Sequence, residues 1–179
     1  MLDVARPFVV GFGIFFATYF TILLFFTKMD QNTQAYCEDA INEFVANSCS
    51  AGYISPSAYL EMTKRVNNTG NMYEVTITHD AKVVMPEVNE DGDEVEGSYV
   101  VSVMTFNNEE ILEEMFPYGS STYYNYPLNN GDEIKVSLSL KSPTLAGRLF
   151  SYISKNEVKT IRYNKSGYVG NNEDNGLNK

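Results

Sequence analysis

The stretch "RPFVVGFGIFFATYFTILLFFTK", residues 6–28, constrains this chain more than any other, because residues 8–26 hold no charged side chain. A helix of about 20 apolar residues crosses the hydrocarbon core of a bilayer, so the length fits one membrane span. Arg6 and the α-amino group precede it, and Lys28 and Asp30 follow. Pro7 suits a first helical turn, where its missing N–H has no partner to lose. Gly11 and Gly13 are tolerated in lipid, where small residues let helices approach closely, and both are candidate contact residues.

Three fates compete for such a segment. A cleaved signal peptide has an apolar stretch of about 7–15 residues and a small-x-small cleavage site. Here the stretch is longer, "TKMDQNTQAYC" after it offers no such site, and no Cys closes the run as in a lipoprotein. A pilin-type site at Gly11–Phe12 requires a Glu at the fifth position of the mature helix. That position is Phe16, and the residues ahead of Gly11 are apolar rather than basic. The expectation is an uncleaved anchor, with cleavage and a polymerising pilin as the alternatives. Lys and Arg near the span number one on each side, so the positive-inside rule is nearly balanced. The short start and its amino charge favour a cytoplasmic N-terminus, residues 1–7, and a plasma-membrane span, residues 8–27. An extracytoplasmic domain, residues 28–168, and a disordered tail, residues 169–179, complete the division.

Beyond the span about 150 residues remain, enough for one domain with a real core. The formal net charge of −10 repels phosphate backbones and argues against a nucleic-acid partner. Cys37 and Cys49 make no disulfide framework. On one helix they would stand ~18 Å apart, beyond the roughly 7 Å limit between bridged Cα atoms, and free thiols are expected.

"TQAYCEDAINEFVANSCS" keeps helical periodicity: Tyr36, Cys37, Ala40, Ile41, Phe44 and Val45 form one apolar stripe, with Glu38, Asp39, Asn42 and Glu43 opposite. The stripe either packs on its own domain or receives a partner helix beside the membrane. Tyr36, Ile41 and Phe44 are its contact candidates. In "GYISPSAYLEMTKRVNNTGN" a second helix is punctuated by Ser55 as cap, Pro56 at its first position and Gly70 past its end. "MYEVTITH" alternates as a half-buried strand. "KVVMPEVNEDGDEVEGSYVVSVMTF" reads as two strands joined around Asp91-Gly92, a favoured hairpin turn. Asn108 is placed as cap of the short helix "NNEEILEEMF". "TYYNYPL" is extended, "EIKVSLSL" alternates, "SPTLAGRLFSYI" repeats the Ser-Pro start of a helix, and "VKTIRYN" is the last strand. The predicted class is α+β: an N-terminal transmembrane helix continuing into an amphipathic helix packed on a mostly antiparallel sheet.

Reactive signatures are missing. His79, the single histidine, closes an alternating strand with no Cys or His at metal-ligand spacing, and reads as structural or exposed. No Ser lies in a G-x-S-x-G turn and there is no Gly-rich phosphate loop. In "NEDGDEVEG", Asn89, Asp91 and Asp93 match the first alternate positions of a calcium loop. The sixth position is Glu94 instead of Gly and no Glu stands at the twelfth, so a solvated hairpin tip is the plainer reading. No catalytic residue, cofactor or metal is expected. The chain has 13 tyrosines and no tryptophan, with Tyr118, Tyr123, Tyr124 and Tyr126 clustered in "PYGSSTYYNYP". Tyrosine combines apolar area with a polar tip, which suits an interface or a half-buried sheet equally.

The layout of a single N-terminal span, an amphipathic helix and a small α+β domain resembles the pseudopilin-like TadE group of bacterial Tad-type (tight adherence) pilus systems. Two stretches, "GYISPSAYLEMTKRVNNTGNMYEVTITH" and "NNGDEIKVSLSLKSPT", are similar to membrane-anchored members from Gram-positive bacteria, and the likeness runs from Tyr36 to Tyr163. The resemblance implies a non-catalytic part of a pilus or secretion machine, held in the plasma membrane. Its partners would be the lipid bilayer, other membrane or pilus-machine proteins, and a second copy of the chain. The chain departs from pilins in lacking the helix Glu and a processing site. The alternative expectation is a cell-surface module that binds glycan or peptide through Tyr123 and Tyr124.

Overall fold

A computed structural model describes residues 2–89, 94–154 and 162–170. One helix, α1 (Leu2–Ala51), carries the apolar run and the amphipathic stripe without a break. At 1.5 Å per residue it is roughly 75 Å long. It ends where Gly52 takes φ +73°, a left-handed conformation that glycine adopts without a Cβ penalty. The Gly52 N–H donates to the Ser48 carbonyl (3.0 Å), and its own carbonyl accepts from Leu128 N–H (3.0 Å).

The elements after α1 are β1 (Tyr53–Ile54), α2 (Pro56–Asn67), β2 (Tyr73–Val88), β3 (Glu94–Phe106), α3 (Asn108–Met115), β4 (Tyr126–Pro127), β5 (Glu133–Leu140), α4 (Leu145–Ser154) and β6 (Arg162–Tyr168). Four strands form an antiparallel sheet in the order β3-β2-β5-β6, and β1 pairs with β4 in a separate two-stranded ladder. Register puts Tyr73 opposite Leu140, His79 opposite Ile134, and Leu138 opposite Tyr163. The α+β class, with a long N-terminal helix packed on an antiparallel sheet, is as expected.

Alternation decides the faces. Ile77, Ile134, Val136, Leu138 and Tyr163 point inward and are buried, whereas Thr76, Lys135 and Asn164 are exposed on the other face. Cys37, Ala40, Ile41, Phe44, Val45 and Cys49 of α1 cover the inward face together with Met62 and Val66 of α2 and Ile111 and Met115 of α3. The helices thus lie on one side of the sheet and water on the other. The stripe's own-domain role is what the fold displays, and Ile41 (1% exposed) and Phe44 (3%) are taken up by the core rather than offered to a partner. Tyr36 departs from the expected stripe: it is exposed, one step outside the buried arc, with the Arg65 guanidinium 5.4 Å from its ring centre.

Several boundaries move. "MYEVTITH" and "KVVMPEV" are one strand, β2, because His79, Asp80 and Ala81 continue the ladder with β3. Asn107, not Asn108, caps α3, accepting from Glu109 N–H (2.9 Å) and Glu110 N–H (3.2 Å) while Glu110 returns a bond to the Asn107 N–H (2.7 Å). Asn108 instead accepts from the Ile77 N–H of β2 (3.0 Å). Ser55 stands at the α2 N-cap, but its hydroxyl meets Ser57 (2.7 Å). Thr144 rather than Ser142 caps α4, accepting from Gly147 N–H (3.1 Å). β6 is described from Arg162, residues 158–161 of the expected strand lying outside the described residues, and Val169, expected in the tail, is buried. The Asp91-Gly92 turn, Asp93 and residues 171–179 lie outside the described residues.

Candidate interaction surfaces

Orientation along α1 organises the surfaces. The apolar run ends near residue 26, and α1 continues for about 37 Å to its end at Ala51. Close to the run, the Tyr73 end of β2 meets Cys37. Farther along, β6 approaches Val45 and Cys49 at Gly167. β2 therefore runs away from the apolar run, and the β2–β3 hairpin lies at the far end of the domain.

That hairpin outgrows the sheet. β5 pairs with β2 only from Tyr73 to Asp80, so from Ala81 onward β2 has β3 as its sheet partner. Directly opposed residues of an antiparallel pair share a face. Val84 faces Val101, Lys82 faces Val103 and Pro86 faces Tyr99, on the side that carries Asp80 and Thr105 closer in. Val84, Tyr99, Val101 and Val103 are all more than half exposed. An apolar patch thus occupies the face that is polar over the rest of the sheet. β3 is also an edge strand, and residues 98–106 hold no charge. A long, uncharged, apolar edge is a template for association, because its N–H and C=O groups are unpaired.

The tyrosine-rich loop lies at the same end, between α3 and the β1–β4 ladder. Ser120 braces it: its N–H donates to the Pro117 carbonyl (3.1 Å) and its hydroxyl accepts from Thr122 N–H (3.0 Å). Tyr124 N–H donates to the Met115 carbonyl (3.1 Å), and the Tyr123 ring meets Phe116 edge-on at 5.0 Å. Tyr118, Tyr123 and Tyr124 are exposed, while Tyr126 turns inward. The cluster therefore divides into three surface rings and one core ring.

Tyr126 belongs to a buried polar group that sequence reasoning passed over. Its hydroxyl lies 2.9 Å from His79 Nδ1, and His79 Nε2 lies 2.9 Å from Asp132 Oδ2. Phe106 stacks on the imidazole at 5.5 Å. Asp132 also accepts from Asn129 N–H (2.7 Å) and Lys82 N–H (3.0 Å). A carboxylate only accepts, so Nε2 carries the proton it donates to Asp132. Burial pushes the Asp132 carboxyl up, but the Asn129 and Lys82 amides, helped by His79, outweigh it and hold the group below its usual value. Burial first, then the charges of Glu114, Glu110 and Asp132, pushes the Tyr126 phenol up to about 12. His79, Asp132 and Tyr126 are 3%, 0% and 4% exposed, so the group is sealed from reactants and ties β2, β4 and the loop before β5 together. The signal was present: His79 has the same parity as Val75 and Ile77 and so points inward.

Cys37 and Cys49 are free and buried. Burial raises the Cys37 thiol, with bonds to Tyr73 and Thr69 acting the other way, and burial alone raises Cys49, so both stay in the unreactive protonated form. Among the described residues no group of three or more His, Cys, Asp or Glu is placed to hold a metal ion. Gly11 and Gly13 have open space around them, but two residues of a helix differ by about 200°, so they open opposite faces instead of forming one contact stripe. Gly11 shares its face with Pro7, Phe8, Phe12 and Phe15 in a shallow apolar notch. No residue of the apolar window of α1 is buried, and by length and composition it is compatible with a single span or a signal sequence. Set against protein-family models, curated proteins and solved structures, the chain matches none of them.

Proposed function

We propose that the chain is a single-span, non-catalytic component of a membrane-bound assembly, of the pilus or secretion type that its layout resembles. It works by protein–protein contact. The apolar run of α1 holds it in the plasma membrane with the N-terminus cytoplasmic, and the α+β domain stands outside. One observation carries the reading: the apolar patch of Val84, Tyr99, Val101 and Val103 is carried at the opposite end of the molecule from the apolar run. A continuous helix holds the two ends apart, which suits a protein that must present a surface at a set height above the bilayer. The occupant of the patch is another protein of the assembly or a second copy of the chain.

A photo-crosslinking side chain at Val101, in membranes of the producing cell, tests this. The expected result is a covalent adduct with a membrane-resident protein or a second copy, lost when Val84 and Val103 are both changed to Lys. Absence of any protein adduct at Val101 would sink the proposal. The exposed rings of Tyr118, Tyr123 and Tyr124 favour a second reading, a surface module for glycan or peptide. Glycan binding that disappears in the Tyr123→Ala, Tyr124→Ala double variant, without adducts at Val101, would select it.

A further inference from the structure

We propose that α4 is a second membrane-contacting element, an amphipathic helix seated in the bilayer leaflet on the domain's side, against the end of the span. The inference rests on the anchor reading above and adds to it a surface made by residues far away in sequence.

Among the described residues, α4 is the element that hydrogen-bonds to the apolar half of α1. Thr144, its capping residue, donates its hydroxyl to the Asp30 carboxylate, just past the run. Five residues farther on, the Leu149 carbonyl accepts from the Tyr19 hydroxyl (3.2 Å). Tyr19 lies inside the run, roughly 10 Å along the helix axis from its end at residue 26. α4 therefore descends alongside α1 from the charged boundary into the zone that the run occupies. If lipid surrounds residues 8–26, the same lipid meets α4.

The surface of α4 has the chemistry this location demands. Ala146 is buried, and on the flanks of that contact Leu145 (54% exposed), Phe150 (58%) and Tyr152 (85%) face outward. Exposed apolar flanks on a helix docked to a span are continuous with the span's own bare surface. In hydrocarbon each polar group must find an internal partner. The Ser151 hydroxyl donates to the Arg148 carbonyl (2.8 Å), just as Thr21 and Thr27 of α1 donate to Ala17 (2.9 Å) and Leu23 (2.8 Å). Tyr19, the remaining hydroxyl at this depth with a resolved partner, is satisfied by α4 itself. Arg148 is the single charged residue of α4 and is exposed, and its long stem lets the guanidinium reach the phosphate layer. Tyr152 is of the type enriched at membrane interfaces. Short amphipathic helices of this composition bind in the headgroup–acyl boundary through their apolar area.

The chain contains no tryptophan, so one introduced indole reports on its own surroundings. Full-length protein is reconstituted into phosphatidylcholine vesicles whose acyl chains are brominated or unbrominated, as three variants: Phe150→Trp in α4, Phe25→Trp in the span, and Tyr118→Trp in the distal loop. The expected result is bromine quenching of Phe150→Trp comparable to that of Phe25→Trp, with a blue-shifted emission, and none for Tyr118→Trp. Tyr152→Trp repeats the measurement should Phe150→Trp fail to fold. Quenching at Phe25→Trp without quenching in α4 overturns this inference and leaves the anchor standing. Absence of quenching at both overturns the anchor reading as well. A blue-shifted but unquenched indole in α4 means that protein covers the helix, which also overturns it.

Discussion

The two halves of α1 belong to one helix and meet opposite fates. Residues 7–26 are apolar around the whole circumference and bare, whereas residues 37–49 are apolar along one arc and that arc is sealed against the sheet. The total apolar content does not separate them; its distribution around the axis does. A one-sided stripe can be covered by one layer of sheet, and the polar face stays wet. An all-round surface needs a solvent that wets every side, and the described part of the domain supplies α4 on one flank. β2 repeats the contrast: it pairs with β5 from Tyr73 to Asp80, takes β3 on its other edge from His79, and beyond Asp80 leaves the core as an apolar arm.

The sharpest way to break this comparison is to place the same charge in each half. Ile41→Glu puts a carboxylate where the residue is 1% exposed among apolar neighbours, and should cost the domain about 4 kcal/mol or more. Phe15→Glu should leave the domain's melting unchanged and instead cost about 3 kcal/mol of membrane insertion. Thermal unfolding followed by near-ultraviolet circular dichroism in detergent reads the first, and flotation with vesicles reads the second. Equal destabilisation by both would mean that the outer half also packs within the fold.

The contrast also explains how far the sequence could be read. The run, the stripe of Cys37 to Val45 and the alternation of β5 are each patterns of one element against one environment, and periodicity exposes them. Asn107 and Asn108 are adjacent and both able to cap; which one does so depends on Ile77 needing an acceptor from across the fold. The seat of α4 depends on Tyr19 and Asp30, more than a hundred positions away. The arm of β2 read as one strand of a hairpin, and the end of β5's pairing at Asp80 leaves no mark in β2 itself. The cluster of His79, Tyr126 and Asp132 was half legible: parity turned His79 inward, but nothing local announced the carboxylate waiting there.

That cluster supplies the next test, since it anchors the point where β2 leaves the core. Asp132→Asn keeps the shape but replaces one acceptor oxygen with a donor, facing N–H groups that already point at it. Leaving buried donors unmatched should cost roughly 3 kcal/mol in denaturant unfolding. The pH dependence has a defined sign. The Asp132 carboxyl is held below the ordinary aspartate value of 3.8, so its contribution is complete above that value and is lost as pH falls through the lower folded value. Asp80, lowered chiefly by its bond from Lys135 and next by Thr105, adds in the same direction from the wet face. The wild-type domain should lose stability below about pH 4, and Asp132→Asn should lose less over that range because part of the loss is already present at neutral pH. A variant as stable as wild type at pH 7 would show that the cluster does not hold β2 to the core.

The smallest expected effect probes the closest approach between the inner half of α1 and the sheet. A Cβ added at Gly167 of β6 would stand 2.7 Å from Val45 Cγ1 and 2.9 Å from Cys49 Sγ, inside any real contact distance. Val45 is β-branched and buried, so it has little rotamer freedom with which to yield. Gly167→Ala should therefore destabilise the domain by about 2 kcal/mol through overpacking. Gly170→Ala, where a Cβ meets nothing within 4 Å, should change little. Adding Cys49→Ala to Gly167→Ala removes one of the two obstructing atoms and should recover part of the loss, against the ordinary rule that enlarging a core cavity destabilises. Such a rescue is available only where helix and strand are pressed together, which is the condition that separates this half of α1 from the bare one.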